Sequence, residues 1–485
     1  MNGYSPSVEC ARCRELERQL ATQQQQLAAQ GEQLATQGEQ LATLQSRVKE
    51  LQKQLDQQTR ASKRQAAPFR RTKKKPESEK KKPGRKVGHA RDARPEPAKV
   101  DRTIPVPVDV CPDCRVPLAG KTVHVQYQTD IPPVQPIVTA FHVEVGHCPC
   151  CGKRVQGQHP EQTSQALGAA NHVLGPRTVA LAADLKYRLG IPFRKIADLF
   201  GGAFGLPCCA GGLTRSTARL ATASRGLLEI FKLQLPRRFV VHADETSWWI
   251  GGRKAWLHVL ATADLVVFQV GDRSRDIAWE ILGPAFRGFV SCDGYVGYDA
   301  FATARCNAHP LRRIRDLLAA GASDATALET IQGLLQGGLT LRDRREALTE
   351  LGFRRLVAKH KAQVHEWIVA HAAHADPAVG RLARHLGRYE TEFLRYLDDP
   401  RIPATNNLGE STLRFAVLLR KIGCCNRTPR GVQTFEVLSS VLATFRRRGL
   451  DFTRWAIEFL QGSSPKYVPP DLLPASYEYQ IVLRP

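Results

Sequence analysis

Apolar residues return every seven positions near the amino terminus: Leu20, Leu27, Leu34, Leu41, Val48 and Leu55, with Leu16, Leu44 and Leu51 filling the companion core position. A strict heptad predicts a helix whose apolar seam is covered by a second helix, so residues 14–58 read as a coiled coil of leucine-zipper type and a site of self-association. Gln23, Gln30 and Gln37 stand at the companion position, and Gly31 and Gly38 each cost about 1 kcal/mol of helix stability, which makes the zipper weak. The period stops at residue 59, and over 59–100 Pro and Lys replace any apolar spacing, the composition of a disordered arm. Helical periodicity resumes over 165–235: Pro176 opens a helix containing ALAADLKYRLG, and IPFRKIADLFGG and LTRSTARLATASRGLLEIF follow, separated by Gly-rich turns. Three short helices with basic faces suggest a helical, helix-turn-helix-like DNA-binding domain, with a plain helical connector as the alternative.

From residue 236 the pattern changes to strands. RRFVVHADET is an apolar run ending near Asp244, and RKAWLHVLAT and DLVVFQVGD make two more strand candidates in an antiparallel meander. An amphipathic helix, SRDIAWEILGPAF, precedes the run GFVSCDGY with Asp293 directly after it; a short strand near TARCNAH and then helices follow. Three strands, helix, strand, helix, strand, helix is the order of an α/β ribonuclease H-like sheet, where a carboxylate on the first strand meets one just beyond the fourth. Asp244 and Asp293 occupy those places, with Glu245 and Asp299 as rivals. Two close carboxylates repel, and one is protonated unless a divalent cation neutralises them, so a third ligand is expected from a later helix. That ligand is Glu410, in a helix that Asn407 would cap. The competing reading makes Asn407-x-x-Glu410 a capping box, with an i,i+4 ion pair to Arg414. The sheet domain then spans 236–425, with an all-helical insertion at about 315–400, and 426–485 is left as a C-terminal tail.

Charge and cysteine usage narrow the function. Of 485 residues, 70 are Lys or Arg and 46 Asp or Glu, a net charge of +24, which points to a polyanionic partner. Residues 61–99 alone carry 15 Lys or Arg against 4 Asp or Glu. Lys73, Lys74, Lys75, Lys80, Lys81, Lys82, Arg85 and Lys86 in this arm suit sequence-independent phosphate contact, and Arg414, Arg420 and Lys421 are candidates to line a DNA path. The arm has a plainer reading as a solubilising linker, and the three later cations as a solvated face. Four of the 13 cysteines form C-x2-C-x33-C-x2-C: Cys111, Cys114, Cys148 and Cys151. Two such pairs supply the four thiolates of a structural Zn2+ site, and the proline-broken segment between them reads as short strands, so 101–160 is expected to be a small zinc ribbon. No run approaches the roughly 18–20 consecutive apolar residues of a membrane span, and the first residues lack an apolar signal core; a cytoplasmic protein is expected. GxSxG and GxxxxGK[ST] are absent, so neither a serine nucleophile nor ATP is indicated.

HADETSWW, SCDGYVGY, CNAHPLRR and NNLGESTLR, together with the heptads, the KKPGRKVGH arm and the two CxxC pairs, resemble the transposases of the bacterial insertion sequence 66 family. The resemblance implies a DDE-type catalytic domain with a helical insertion before the final glutamate, matching Asp244, Asp293 and Glu410 here. Cys306 and His309 match the C-x2-H that often follows the second aspartate, while Asn307 stands where an aromatic is usual and Ser411 where a basic residue commonly follows the glutamate. It implies two Mg2+ ions, with Mn2+ as a substitute, for cleavage of element ends and in-line strand transfer into double-stranded target DNA. Small accessory proteins encoded beside it, and association with the nucleoid, belong to the same picture. Of Trp248 and Trp249, one is expected in the core and one against a base near the cleavage site; Trp248 is taken as a supporting residue with Cys306 and His309. Two readings from other classes stay open: a zinc-containing DNA-binding regulator with an inert sheet domain, and a ribonuclease H-like nuclease that cuts without joining.

Overall fold

The computed structural model describes residues 36–52, 95–168, 172–423 and 425–462, with four further positions at 20, 22, 30 and 31. Most of the 14–58 heptad region, including Leu16, Leu27, Leu34 and Leu55, lies outside the described residues, as do the arm over 59–94 with its eight basic candidates and the end of the chain from 463. Residues 36–52 form a helix, α1, on which Leu41, Leu44, Val48 and Leu51 are all exposed. Beyond it the chain divides into two compact units: Ser224–Leu450, and the described residues up to Ala223 together with those from Asp451.

In the second of these, the hairpin of β1 (Val145–His147) and β2 (Arg154–Gln156) carries one CxxC pair at its tip. Of the short strands expected between the two pairs, β1 forms, just before Cys148; 119–144 has none, because Pro132, Pro133 and Pro136 lack the N–H a ladder needs. Pro176 starts helix α2 (Pro176–Tyr187), whose first-turn N–H groups have no intrahelical partner in any case. Helices α3 (Phe193–Phe204) and α4 (Ala210–Ala223) pack with it around Ala182, Ile196, Phe200 and Leu213. Gly205, at φ 63°, ends α3, with Leu206 N–H bonded back to the Phe200 carbonyl. A fourth helix, α14 (Phe452–Leu460), returns from the far end of the chain to pack on α2.

The larger unit holds a five-stranded sheet in the order β5-β4-β3-β6-β7. Strands β3 (Val240–Ile250), β4 (Arg253–Ala261) and β5 (Val266–Gly271) are antiparallel; β6 (Phe289–Cys292) and β7 (Thr303–Arg305) join parallel to β3. Val241, Ala243, Leu257, Val259, Val266 and Val267 are fully buried along its centre. Strand β3 does not end near Asp244 as its apolar run suggests. It continues to Ile250, and Gly251 and Gly252, at φ 56° and 85°, turn it tightly into β4; positive φ at both central residues gives the twist that matches a two-residue hairpin. Helix α6 (Asp276–Leu282) links β5 to β6, and Gly283 at φ 70° closes it.

After β7 the chain is helical: α7 (Ala308–Ala319), α8 (Ala325–Asp343), α9 (Glu350–His371), α10 (Pro377–Arg388) and the short α11 (Glu390–Leu394). The side chains of Asp324, Thr349 and Asp376 cap α8, α9 and α10, and Leu328, Ile331, Phe353, Trp367 and Leu382 fill the core among them. Two helices then return to the sheet, α12 (Asn407–Gly423) and α13 (Pro429–Arg447).

The place of α13 corrects the expected boundary at 425/426, since this helix packs on β5. Its side chains serve the free edge of the strand. Thr444 Oγ1, Ser440 Oγ and Glu436 Oε1 accept the N–H groups of Val266, Phe268 and Val270 at 3.0, 2.9 and 2.7 Å. Four residues of helix rise about 6 Å and two of strand about 6.8 Å, so one helix face can follow alternate N–H groups along an edge. The same edge, uncovered, would offer itself to another strand. Likewise α5 (Arg225–Gln234), read from sequence as part of the helical domain, packs on β5 and α13. Ser440→Ala, which leaves the buried Phe268 N–H unpaired, is expected to cost about 1–3 kcal/mol in urea unfolding, whereas the same change at exposed Ser411 is expected to cost little.

Candidate active site

The register of the sheet brings the first two acids together. Val240, Val241 and His242 of β3 pair with Phe289, Val290 and Ser291 of β6, and there the parallel ladder stops. Carried two residues further, the register sets Asp244 beside Asp293, on one face because side chains alternate. The β4 side stays paired, with Asp244 opposite Val259, so β3 is fixed while its other edge is open at the acids. Asp244 Oδ1 accepts the Glu245 N–H at 2.9 Å and Asp293 Oδ1 the Tyr295 N–H at 2.8 Å. Burial pushes the Asp244 carboxyl well above the usual carboxylate range, and the negative charges of Asp293, Glu245 and Glu410 push it further.

Glu410 reaches this group through Asn406, which sequence reasoning passed over in favour of its neighbour. Asn407 is the first residue of α12, not its cap, and Asn406 is fully buried. The Asn406 amide donates to the Ala243 carbonyl at 2.8 Å and accepts from His242 Nδ1 at 2.9 Å, tying the start of α12 to the strand just before Asp244. Burial lowers the His242 pKa, keeping the ring neutral with its proton on Nδ1. Asn307, also fully buried, donates to the carbonyls of Phe393 and Ala404 at 2.9 and 3.2 Å, steadying the lead-in to the same helix. Glu410 in the first turn of α12 then faces Cys306 Sγ and His309 Nδ1, each 3.9 Å from Oε1. The capping-box reading fails with the shift of the cap to 406, and among the described residues Glu410 makes no ion pair with Arg414.

The rival acids are accounted for. Glu245 is buried against Arg273 Nη2 at 2.9 Å and Tyr298 Oη at 3.0 Å; burial and the Asp293 charge still raise it to about 7. Asp299 pairs with Arg305, whose side chain is fully buried, reaches Glu392 Oε2 at 2.8 Å and donates from Nη1 to the Asp293 carbonyl at 3.0 Å. Each rival therefore has its own arginine. Among the described residues Asp244 and Asp293 have no basic partner within ion-pair distance.

Other expected residues fall elsewhere. Trp248 is core, 1% exposed, its ring tilted 31° against that of Phe435 with Nε1–H donated to Asn426 Oδ1 at 2.9 Å; Trp249, 38% exposed, is the one that faces solvent. Alternation along β3 sends the two to opposite faces, which a strand ending at Asp244 could not reveal. Arg420 is bound to β3, donating to Thr246 Oγ1 at 2.9 Å and Ser247 Oγ at 2.7 Å, so it fastens α12 to the sheet; Arg414 and Lys421 are exposed. Arg447 and Arg448, adjacent basic residues at the end of α13, hold the turn at Thr262–Asp264. The cysteine pairs form two matching turns: Arg115 N–H returns to the Cys111 carbonyl and Gly152 N–H to that of Cys148, both at 2.9 Å. In each, backbone N–H groups of the second cysteine and the residue before it lower the first thiol's pKa. The four thiols are not gathered into one ligand set; among the described residues the metal-capable group is Cys306, His309 and Glu410.

Against this geometry, the model of the family described as "Transposase IS66 family" matches residues 171–434, a span that contains all three acids. The chain belongs to the IS66 family of transposases. An uncharacterised protein of Sinorhizobium fredii (strain NBRC 101917 / NGR234), y4jD, is 23% identical over 327 residues, covering 59% of this chain; the chain spans 63% of that relative. No helix among the described residues is long and apolar enough to cross a membrane.

In this family member, Asp244 and Asp293 lack a counter-charge among the described residues, and like charges, that of Glu410 among them, add to burial in raising the Asp244 carboxyl. A carboxyl whose pKa is raised in the folded state destabilises the fold above its unfolded pKa of about 3.9. The penalty is absent below that pH and complete above the folded value. Asp244→Asn removes it. Without divalent ions, the variant is expected to melt a few degrees above wild type at pH 8, on a scale of roughly 2–4 °C per kcal/mol, with the gap closing towards pH 4. Mg2+ should raise the melting temperature of wild type more than that of the variant; calorimetry across the pH range, with and without Mg2+, checks both.

Proposed function

We propose that this transposase cleaves the ends of its insertion sequence and joins the freed 3′ ends to target DNA by in-line phosphoryl transfer at Asp244, Asp293 and Glu410. The observation that supports this reading is the convergence of three acids at the open edge of β3, two of them lacking the arginines that neutralise Glu245 and Asp299. Their sheet has the strand order of a ribonuclease H-like domain, and α8–α11 correspond to the helical insertion. Asp244, Asp293 and Glu410 would hold Mg2+, or Mn2+ in its place, which when bound activates the attacking oxygen and stabilises the leaving 3′ oxygen. The chain's own residues supply position. Asn406 sets where Glu410 stands relative to Asp244, Arg305 holds the backbone of Asp293, and Tyr298 and Arg273 keep Glu245 out of the donor set. Exposed Trp249, Arg414 and Lys421 offer a stacking face and phosphate contacts to the DNA strand.

The other modules bring DNA and copies of the protein together. Cys111, Cys114, Cys148 and Cys151 bind a structural Zn2+, each turn presenting one preformed pair. The α1 seam self-associates, the basic arm contacts double-stranded DNA, and accessory proteins encoded beside the element assist in a cytoplasmic, nucleoid-associated complex. The test is a cleavage and strand-transfer assay on element-end DNA with Mg2+, comparing wild type with Asp244→Ala, Asp293→Ala and Glu410→Ala. Each variant is expected to lose at least about 100-fold in both steps while still binding DNA. Joining that proceeds equally in all four proteins would leave the regulator reading standing, and cutting without joining by wild type would favour the nuclease.

A further inference from the structure

The donors around Glu410 are of two kinds. The Asp244 carboxyl is near enough to feel the Glu410 charge, and a thiol and an imidazole lie 3.9 Å from Glu410 Oε1. The geometry points to a second, transition-metal site formed by Cys306, His309 and Glu410, of the class that takes Zn2+. The ligand atoms of the three residues all lie within 4.8 Å of one another, with Sγ and Nδ1 each 3.9 Å from Glu410 Oε1. Donors at 2.0–2.3 Å from a tetrahedral zinc ion stand about 3.3–3.6 Å apart, so closure needs the two contacts to Glu410 to shorten by roughly 0.5 Å and the sulfur and imidazole nitrogen to approach by at most about 1.2 Å.

Two further observations support a ligand here. His309 Nδ1 is buried and makes no hydrogen bond, although a buried imidazole nitrogen ordinarily finds a partner. Cys306 is buried too, and its thiol proton has only a long contact to Glu410, 3.9 Å from sulfur to Oε1. On binding, the ion displaces that proton to solvent and takes up the sulfur, nitrogen and oxygen lone pairs together. His309 and Glu410 are each partly exposed, which leaves a fourth position for water. Thiolate and imidazole select a borderline ion over Mg2+, which prefers oxygen. The local chain favours the assembly: Cys306 follows β7 directly, His309 lies in the first turn of α7, and Asn406 sets the first turn of α12 against them. Because Glu410 belongs to both donor sets, Zn2+ here would withdraw it from Asp244 and Asp293. That consequence, unlike the site itself, rests on the function proposed above.

The full-length protein, stripped of metal, is titrated with Zn2+ against a chromophoric chelator and with Co2+ by absorption spectroscopy. Wild type is expected to bind one Zn2+ more than Cys306→Ser, His309→Gln or Glu410→Gln. The sulfur-to-cobalt charge-transfer band should fall in Cys306→Ser by the share of one thiolate. Glu410→Gln lies on the partly exposed start of α12 and tests the same ligand set without disturbing the buried Cys306. Circular dichroism and the Zn2+ retained by the remaining thiols establish that each variant is folded. Equal stoichiometry and equal cobalt spectra in wild type and the folded variants would overturn the site. Strand transfer is not the readout, so loss of the Glu410 proposal in the joining assay would leave this result unaffected.

Discussion

Asn406 lies 163 residues along the chain from Ala243, the carbonyl it holds, and the candidate site depends on that bond. Its side chain is fully buried, so each end must be paired or cost about 1–3 kcal/mol. Both ends are paired on the same strand, to His242 and Ala243, immediately before the first acid. A helix packed only by apolar contacts can slide or rotate by fractions of a turn at small cost. One held by a two-ended amide cannot, and the position of Glu410 one turn later follows. Arg420 repeats the constraint near the other end of α12 through Thr246 and Ser247, so the helix is fixed to β3 at two places, Asn406 and Arg420.

Within this frame the acids sort by whether they own a cation. Glu245 has Arg273, Asp299 and Glu392 share Arg305, and Asp264 is held by Arg238 and Arg448. Buried charge is tolerable in such pairs because the partner restores part of what desolvation removes. Asp244 has no such relief and is crowded by like charges. An arrangement that repels itself persists because the surrounding structure over-determines it, here through the β3–β4 ladder, the Asn406 bond and the Arg305 contact to the Asp293 backbone.

Strand order and the positions of Asp244 and Asp293 were legible in the sequence because buried strands write themselves as apolar runs, and an acid directly after such a run is conspicuous. The features that were not legible arise from pairing, which one strand does not encode. The extension of β3 past Asp244 depends on β4, which supplies partners for a polar, alternating stretch, and only that extension separates buried Trp248 from exposed Trp249. Asn406 and Asn407 are equivalent as letters; burial against β3 distinguishes them. Helix α13 has an apolar face, with Phe435, Leu438, Val441 and Phe445 buried, but its letters do not say which sheet that face covers, nor that Glu436, Ser440 and Thr444 satisfy the edge of β5. Of the short, proline-broken strands expected between the CxxC pairs, only β1 forms, past the last proline; over 119–144 the prolines prevail.

The basic excess has a different meaning after the sheet is seen. Arg305, Arg420, Arg447 and Arg448 are engaged inside the sheet unit, with acids, hydroxyls or carbonyls, and are poorly placed to neutralise phosphates. Guanidinium groups suit this work because five donors in a rigid fork can satisfy several acceptors at once, as Arg305 does for Glu392, Asp299 and the Asp293 carbonyl. Lysine, with one flexible ammonium, is the more common residue of the arm over 61–99, where donors need reach rather than direction. The two kinds of cation thus divide by task along the chain. Arginine fixes carboxylates in place within the sheet unit, and on the function proposed above it is the lysine-rich arm that would hold the DNA.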